Sequence, residues 1–163
     1  MKRIKPKKGQ ESVWDYPRPP KLEATSKHLK VVFNGKVVLE TNKAYRVLET
    51  SHPPVYYIPQ EDIDMRLMET VEGRQSFCEW KGRANYWNLI VDNQTSPMAA
   101  WSYPAPNTRF LPIKDYLAFY ATRVDECYVD GERVQAQEGD FYGGWITNDI
   151  VGPFKGGTGT WGW

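Results

Sequence analysis

Two short turn signals restrict most strongly what this chain can become. Asn34-Gly35 lies within KVVFNGKVVLET (Lys30 to Thr41), and Asp130-Gly131 lies within CYVDGERVQ, each between apolar runs. Asn-Gly and Asp-Gly accept the left-handed backbone of a two-residue hairpin loop, so both predict antiparallel strand pairs. No amphipathic stretch of helical period runs beyond about two turns, and short strand-like runs recur instead. AYRVLETSHPPVYYIP reads as strand, breaks at Pro53-Pro54 and resumes from Val55 to Ile58. MRLMETVEGRQSF reads as strand, turn and strand, and CEWKGRANYWNLIV as a hairpin turning at Lys81-Gly82-Arg83. DNQTSP reads as a loop, and MAAWSYPAP and LAFY as strands. Helix is confined to single turns after Pro59 and at Pro112, where proline suits a first helical position. The chain is long enough for one real core. The expected fold is mainly β: a compact single domain of two antiparallel sheets, residues 11–163, after a basic tail, residues 1–10.

Charge and cysteine content narrow the function classes. The net charge is +1, so no global case exists for a nucleic-acid or membrane partner. MKRIKPKKG holds five of the 21 basic residues and no acid, leaving 16 basic against 20 acidic residues in the body. Such a tail reads first as a solubilising terminus and second as a weak polyanion-binding arm. ESVWDYPRPPKLEATSK has three prolines, which predicts an extended arm anchored by Trp14 and Tyr16. No apolar run is long enough for a signal peptide or a membrane span. The two cysteines, Cys78 and Cys127, form no CxxC pair, so the expected setting is the reducing cytoplasm. Self-association into a homo-oligomer stays open.

Chemistry-bearing patterns are sparse. Zinc wants four Cys or His ligands with short paired spacings, whereas Cys78, Cys127, His28 and His52 are all isolated. No metal or other cofactor is expected. Glu49-Thr50-Ser51-His52 contains acid, hydroxyl and imidazole, but neighbours on an extended chain point in opposite directions and cannot form a relay. Cys78 could pair with His52 as a thiolate, yet free cysteine is among the most buried residue types and reads first as core. FKGGTGT, Phe154 to Thr160, lacks the order of a phosphate loop and a following helix, so it reads as a flexible chain end. Eight glycines fall within the 25 residues from Gly139 to Trp163, where the backbone must turn often or approach a neighbour closely.

What remains is an aromatic set with polar groups among it. Aromatics make up 14% of the chain, enough to line a pocket as well as fill a thin β core. Ligand pockets are mostly apolar with a few convergent polar groups. The candidate ligand-binding residues are Arg46, Glu49, His52, Tyr57, Trp80, Lys81, Tyr86, Trp101, Tyr103 and Trp145. Arg46 and Lys81 are expected to hold an anionic or polar end of a small molecule, with Glu49 bracing one of these cations. Trp80, Tyr86, Trp101 and Tyr103 are expected to stack on its flat part, in an aromatic-lined cleft between two sheets. The competing reading is an enzyme, a transferase or hydrolase with Glu49 or His52 as general base; a third is a protein-interaction module using exposed aromatics.

Several stretches together carry a family resemblance: RVLETSHPPVYYIP, CEWKGRANYW, AAWSYPAP, LAFY, DGERV, GDFYGGWIT and VGPFKG. They resemble domain-of-unknown-function family 427, which catalogues label nucleotidyltransferase. The resemblance implies a β-tent-like fold of two sheets meeting at an angle. Related tent domains clamp zinc with two CxxC pairs; this chain has none, so the implied tent is metal-free and held by its aromatic core. A polymerase-like nucleotidyltransferase needs a Gly-Ser turn and a spaced pair of metal-binding carboxylates, and neither stands out in the sequence.

Overall fold

A computed structural model describes residues 1–163, which fold mostly as short β-strands in several sheets and close no barrel. The strands are β1 (Glu11–Ser12), β2 (Lys21–Thr25), β3 (Leu29–Phe33), β4 (Lys36–Thr41), β5 (Ala44–Leu48), β6 (Val55–Tyr57), β7 (Met68–Cys78), β8 (Gly82–Val91), β9 (Gln94–Ser102), β10 (Leu117–Phe119), β11 (Glu126–Val129), β12 (Glu132–Arg133), β13 (Gln135–Ala136), β14 (Trp145–Ile146) and β15 (Ile150–Val151). Helical structure is limited to 3-10 turns at Val13–Asp15, Gln60–Asp62, Met65–Leu67, Thr108–Ile113 and Ala121–Arg123. One of these follows Pro59, as expected; the turn at Pro112 instead starts at Thr108 with the proline inside it, and the turns at Val13, Met65 and Ala121 fall where none is expected.

Both turn signals act as read. Asn34 and Gly35 take φ of 48° and 73° between β3 and β4, and Asp130 and Gly131 take 49° and 79° between β11 and β12. These strands form one four-stranded sheet, β12-β11-β3-β4. A second, β10-β9-β8-β7, is antiparallel throughout, and a three-stranded sheet runs β2-β5-β6. Two small pairs complete the fold, β13-β14 and the parallel β1-β15. The bridge Ile58–Leu117, with both backbone bonds made at 2.8 and 2.9 Å, joins the edge of the three-stranded sheet to β10.

Strand alternation then divides the apolar residues between two clusters. Tyr56, Ile58, Leu117 and Phe119 enter the main core of 19 buried residues, with Leu29, Val31, Leu39 and Cys127 from the β12-β11-β3-β4 sheet. Tyr57, Ala118, Tyr120, Trp101 and Tyr103 have the other parity and form a second cluster of nine. The two clusters are thus opposite faces of one joined surface.

Three local readings change. The central hairpin turns at Glu79-Trp80-Lys81, because Cys78 pairs with Gly82 and Gly82 takes φ +109° to close the loop. DNQTSP is no loop: the turn is Asp92-Asn93 alone, and β9 starts at Gln94. Pro97 is accommodated inside that strand where the ladder slips between Trp87 and Leu89 and Met98 takes φ +50°. The segment Met65 to Cys78 opens with a 3-10 turn and then runs as one irregular strand, its register shifting between Thr70 and Gln75 around Gly73.

The Pro-rich arm is anchored by its two aromatics. Tyr16 is buried and Trp14 half-buried, with the Trp14 Nε1–H donating to the Pro153 carbonyl at 2.9 Å. Within the basic tail, the Ile4 N–H donates to the Gly152 carbonyl at 3.0 Å, and the Arg3 guanidinium lies 4.9 Å from the Trp14 ring centre.

Candidate functional site

A cavity of about 390 Å³ opens at the seam where the three-stranded sheet meets the four-stranded one, edge to edge. Its floor follows from register. Tyr86 pairs with Trp101, and Trp101 with Ala118. The antiparallel Ile58–Leu117 bridge carries that row onward and sets Tyr57 across from Ala118. The small Ala118 side chain lets the large rings on either side of it meet. The Trp101 Nε1–H donates to the Tyr57 hydroxyl at 3.3 Å, with the rings nearly perpendicular. Tyr120 packs on the indole with centroids 4.5 Å apart, and Tyr103 lies 6.2 Å from Tyr57. Burial pushes the Tyr57 and Tyr103 phenols above their usual range and Tyr120 up to about 12, so all three are neutral hydroxyls at neutral pH.

The roof comes from the central hairpin and the glycine-rich segment. Cys78, Glu79, Trp80 and Lys81 all line the cavity. Strict strand alternation would split them between two faces, but 79–81 are turn residues and do not alternate. Gly143 closes over the other side: a Cβ there would meet Trp101 Cη2 at 2.2 Å, so only glycine lets this backbone lie on the indole. Phe77 and Phe141 stand at the rim, 75% and 73% exposed.

Eight of the ten candidate residues line this one cavity: Glu49, His52, Tyr57, Trp80, Lys81, Tyr86, Trp101 and Tyr103. Arg46 and Trp145 do not. Arg46 alternates with Val47, which faces the cavity, and so its guanidinium lies on the opposite face. There it binds Glu11 at 2.7 and 2.8 Å and Glu23 at 2.7 Å. Trp145 is 1% exposed within the main core, its Nε1–H donating to the Phe119 carbonyl at 3.0 Å. Glu49 braces neither Arg46 nor Lys81; its Oε2 lies 3.4 Å from Arg18 Nε and 3.7 Å from His52 Nε2.

That last contact reverses the expectation that Glu49 and His52 cannot meet. Ser51 takes φ +72° and the His52 N–H donates to the Glu49 carbonyl at 3.0 Å, so the chain turns back on itself ahead of Pro53. Both side chains then reach one side. Cys78 is half-buried at the cavity, while Cys127 is buried in the main core, where its thiol is pushed up to about 12. No three His, Cys, Asp or Glu side chains cluster closely enough to hold a metal ion.

Residues 21–130, about two thirds of the chain, match the model of the family described as Domain of unknown function (DUF427), labelled NTP_transf_9. The chain is a DUF427 protein. No curated protein matches it in sequence. The DUF427 span supplies the cavity from Val47 to Tyr120, whereas Phe141, Tyr142, Gly143 and Lys155 come from beyond it. No helix of this DUF427 protein is long and apolar enough to cross a membrane.

Sequence reasoning missed Arg18, Gln137 and Lys155. Lys155 is tied by its ammonium to the Trp163 carbonyl oxygen at 3.0 Å. All three lie far along the chain from Glu49 and His52, beside which they act, and no local pattern marks them.

Burial, with the positive charges of Lys155, Arg18 and Lys81, holds the His52 imidazole down at about 4. The unfolded chain therefore takes up a proton near 6.5 that the folded chain refuses. Folded stability is expected to fall as pH drops from 6.5 toward 4, by on the order of 3 kcal/mol for this group. Glu11, held below its usual range first by its bonds to Arg46, loses its own contribution in the same direction as pH falls below 4.5. Urea denaturation across this range, repeated on His52→Gln, checks the assignment: the variant's slope between pH 6.5 and 4.5 should flatten, and an unchanged slope contradicts it.

Proposed function

We propose that the cavity binds a small molecule with a flat or apolar body and an anionic or polar end. The observation that carries this reading is Lys81. Its side chain lines an aromatic cavity, with the ammonium 5.9 Å from the Tyr103 ring centre and 5.8 Å from that of Phe110. It takes part in none of the chain's ion pairs within 4.0 Å. A half-buried cation on aromatic faces gains modestly from them and keeps its donors for a ligand acceptor. Trp80, Tyr86, Trp101 and Tyr103 supply the stacking faces, and the volume suits a small ligand.

Probe titration tests this. Added to nitrogen-15-labelled protein, 2-naphthoate should move the indole N–H resonances of Trp80 and Trp101 more than 2-naphthylmethylamine does. Lys81→Met should weaken the naphthoate by about tenfold, the worth of a charge-assisted hydrogen bond. Neither probe moving those resonances at about 1 mM, where even weak fragments bind, overturns the reading.

The family label suggests a transferase, and the close approach of Glu49 to His52 at the cavity edge supports an enzymatic reading as the second one. In that reading Glu49→Gln keeps ligand affinity while turnover falls by about a hundredfold or more.

A further inference from the structure

Gln137 is 2% exposed and carries a full amide, a combination that demands partners at both ends. Its Oε1 accepts the Gly144 N–H at 3.1 Å. Its Nε2 donates to the Lys155 carbonyl at 2.7 Å and stands 3.2 Å from His52 Nδ1. A backbone N–H can only donate and a backbone carbonyl can only accept, so these two contacts fix which end of the amide is which. The second amide hydrogen then points at Nδ1. An imidazole nitrogen facing an N–H must present its lone pair, and a neutral ring with a bare Nδ1 carries its proton on Nε2. Nε2 is the nitrogen that faces Glu49 at the cavity edge.

The frame around this amide is backbone. The Lys155 N–H donates to Ser51, the Trp145 N–H to Pro54 and the Gln137 N–H to Gly144, at 2.9, 2.8 and 3.1 Å. A Cβ at Gly144 would lie 2.6 Å from Gln137 Oε1 and 2.6 Å from Pro53 Cγ, so glycine there lets the N–H reach its acceptor. The groups around His52 reinforce the neutral ring. Arg18, Lys81 and Lys155 oppose a further positive charge and Tyr142 packs a ring 5.3 Å away, against the Glu49 carboxylate at 3.7 Å.

We propose that Gln137 is a positioning residue that locks His52 as a hydrogen-bond donor into the cavity, so that the ligand presents an acceptor oxygen, carboxylate or phosphate, to His52 and Lys81 together. This rests on the ligand-binding reading of the same cavity and sharpens it. In this state His52 has no lone pair on its cavity side. If the site performs proton abstraction, Glu49 is the base.

The tautomer can be read directly. Long-range proton–nitrogen correlation spectra of the imidazoles, with His28→Gln to assign the two histidines, should show His52 protonated at Nε2 only, through neutral pH. Gln137→Glu places an oxygen opposite Nδ1; the proton should move to Nδ1 and the ring should titrate about one unit or more higher. The same variant should bind 2-naphthoate about tenfold more weakly, the scale of one misplaced buried hydrogen bond. A purely structural Gln137 would lower the melting temperature and leave the tautomer as it was. A wild-type ring protonated at Nδ1, or a Gln137→Glu ring still protonated at Nε2 alone, overturns the proposal. Should Gln137→Glu fail to fold, the wild-type spectrum decides by itself. Failure of 2-naphthoate to bind wild type sinks the ligand reading, while the spectrum still judges the tautomer.

Discussion

Trp101→Ala should destabilise the protein by about 3–5 kcal/mol, the range for removing a buried aromatic from a packed site. The indole is 8% exposed, touches Tyr57 and Tyr120, and lies against the Gly143 backbone. None of these neighbours can collapse into the gap freely. Tyr57 and Tyr120 are anchored on strand or strand-edge backbone, and Gly143 has no side chain to offer. The Tyr57 hydroxyl also loses its donor. Trp101→Phe, which keeps a ring and loses only the N–H and the outer part of the indole, should recover most of the loss. For 2-naphthoate, the alanine variant should bind more weakly by about 1–3 kcal/mol, the scale for losing one stacked face. Equilibrium urea denaturation gives the first number and a binding titration the second. A stability loss below about 1 kcal/mol, as for a surface position, would show that Trp101 is not packed as described.

Arg46→Met should separate stability from binding. The Arg46 side chain is 7% exposed, with its three bonds to Glu11 and Glu23 as the compensation for its burial. Glu11 also accepts from the Tyr16 hydroxyl at 2.7 Å, so one guanidinium ties the N-terminal arm to β2 and β5. Removing one partner of a buried pair typically costs about 3–5 kcal/mol. Here the two carboxylates left behind are 41% and 34% exposed and can recover water, so about 2–3 kcal/mol is expected. Because Arg46 faces away from the cavity, affinity for 2-naphthoate should stay within about twofold, the scatter of a surface change. A large loss of affinity with little loss of stability would return Arg46 to the site.

Much of the fold is legible in the amino-acid sequence because its signals are local. Asn34-Gly35 and Asp130-Gly131 state their own backbone geometry, and Pro59 states where a helical turn can start. The cavity aromatics are legible because they cluster on strands that the sequence marks clearly. Arg46 reads from the sequence as a site residue although parity along β5 argues against it: Glu49 and Val47 share a strand face, and Arg46 lies on the other. The Glu49–His52 approach is not legible, because it depends on a serine in a left-handed conformation, which serine seldom adopts without tertiary support. Gln137 is beyond reach for another reason. Its role is set by Gly144, Lys155 and His52, three segments whose meeting only the folded chain decides.

Whether the cavity framed by Trp101, Tyr103 and Lys81 is a ligand site is decided by a crystal structure of the protein soaked with 2-naphthoate. The naphthalene ring is expected in the cavity, stacked on at least one of Trp80, Tyr86, Trp101 and Tyr103. Its carboxylate should lie within about 3 Å of the Lys81 ammonium, the usual reach of a charge-assisted hydrogen bond, and accept from His52 Nε2 as well. A cavity closed by its own side chains, with Glu49 and Lys81 both turned to bulk water and the probe absent or bound elsewhere, would contradict the ligand site.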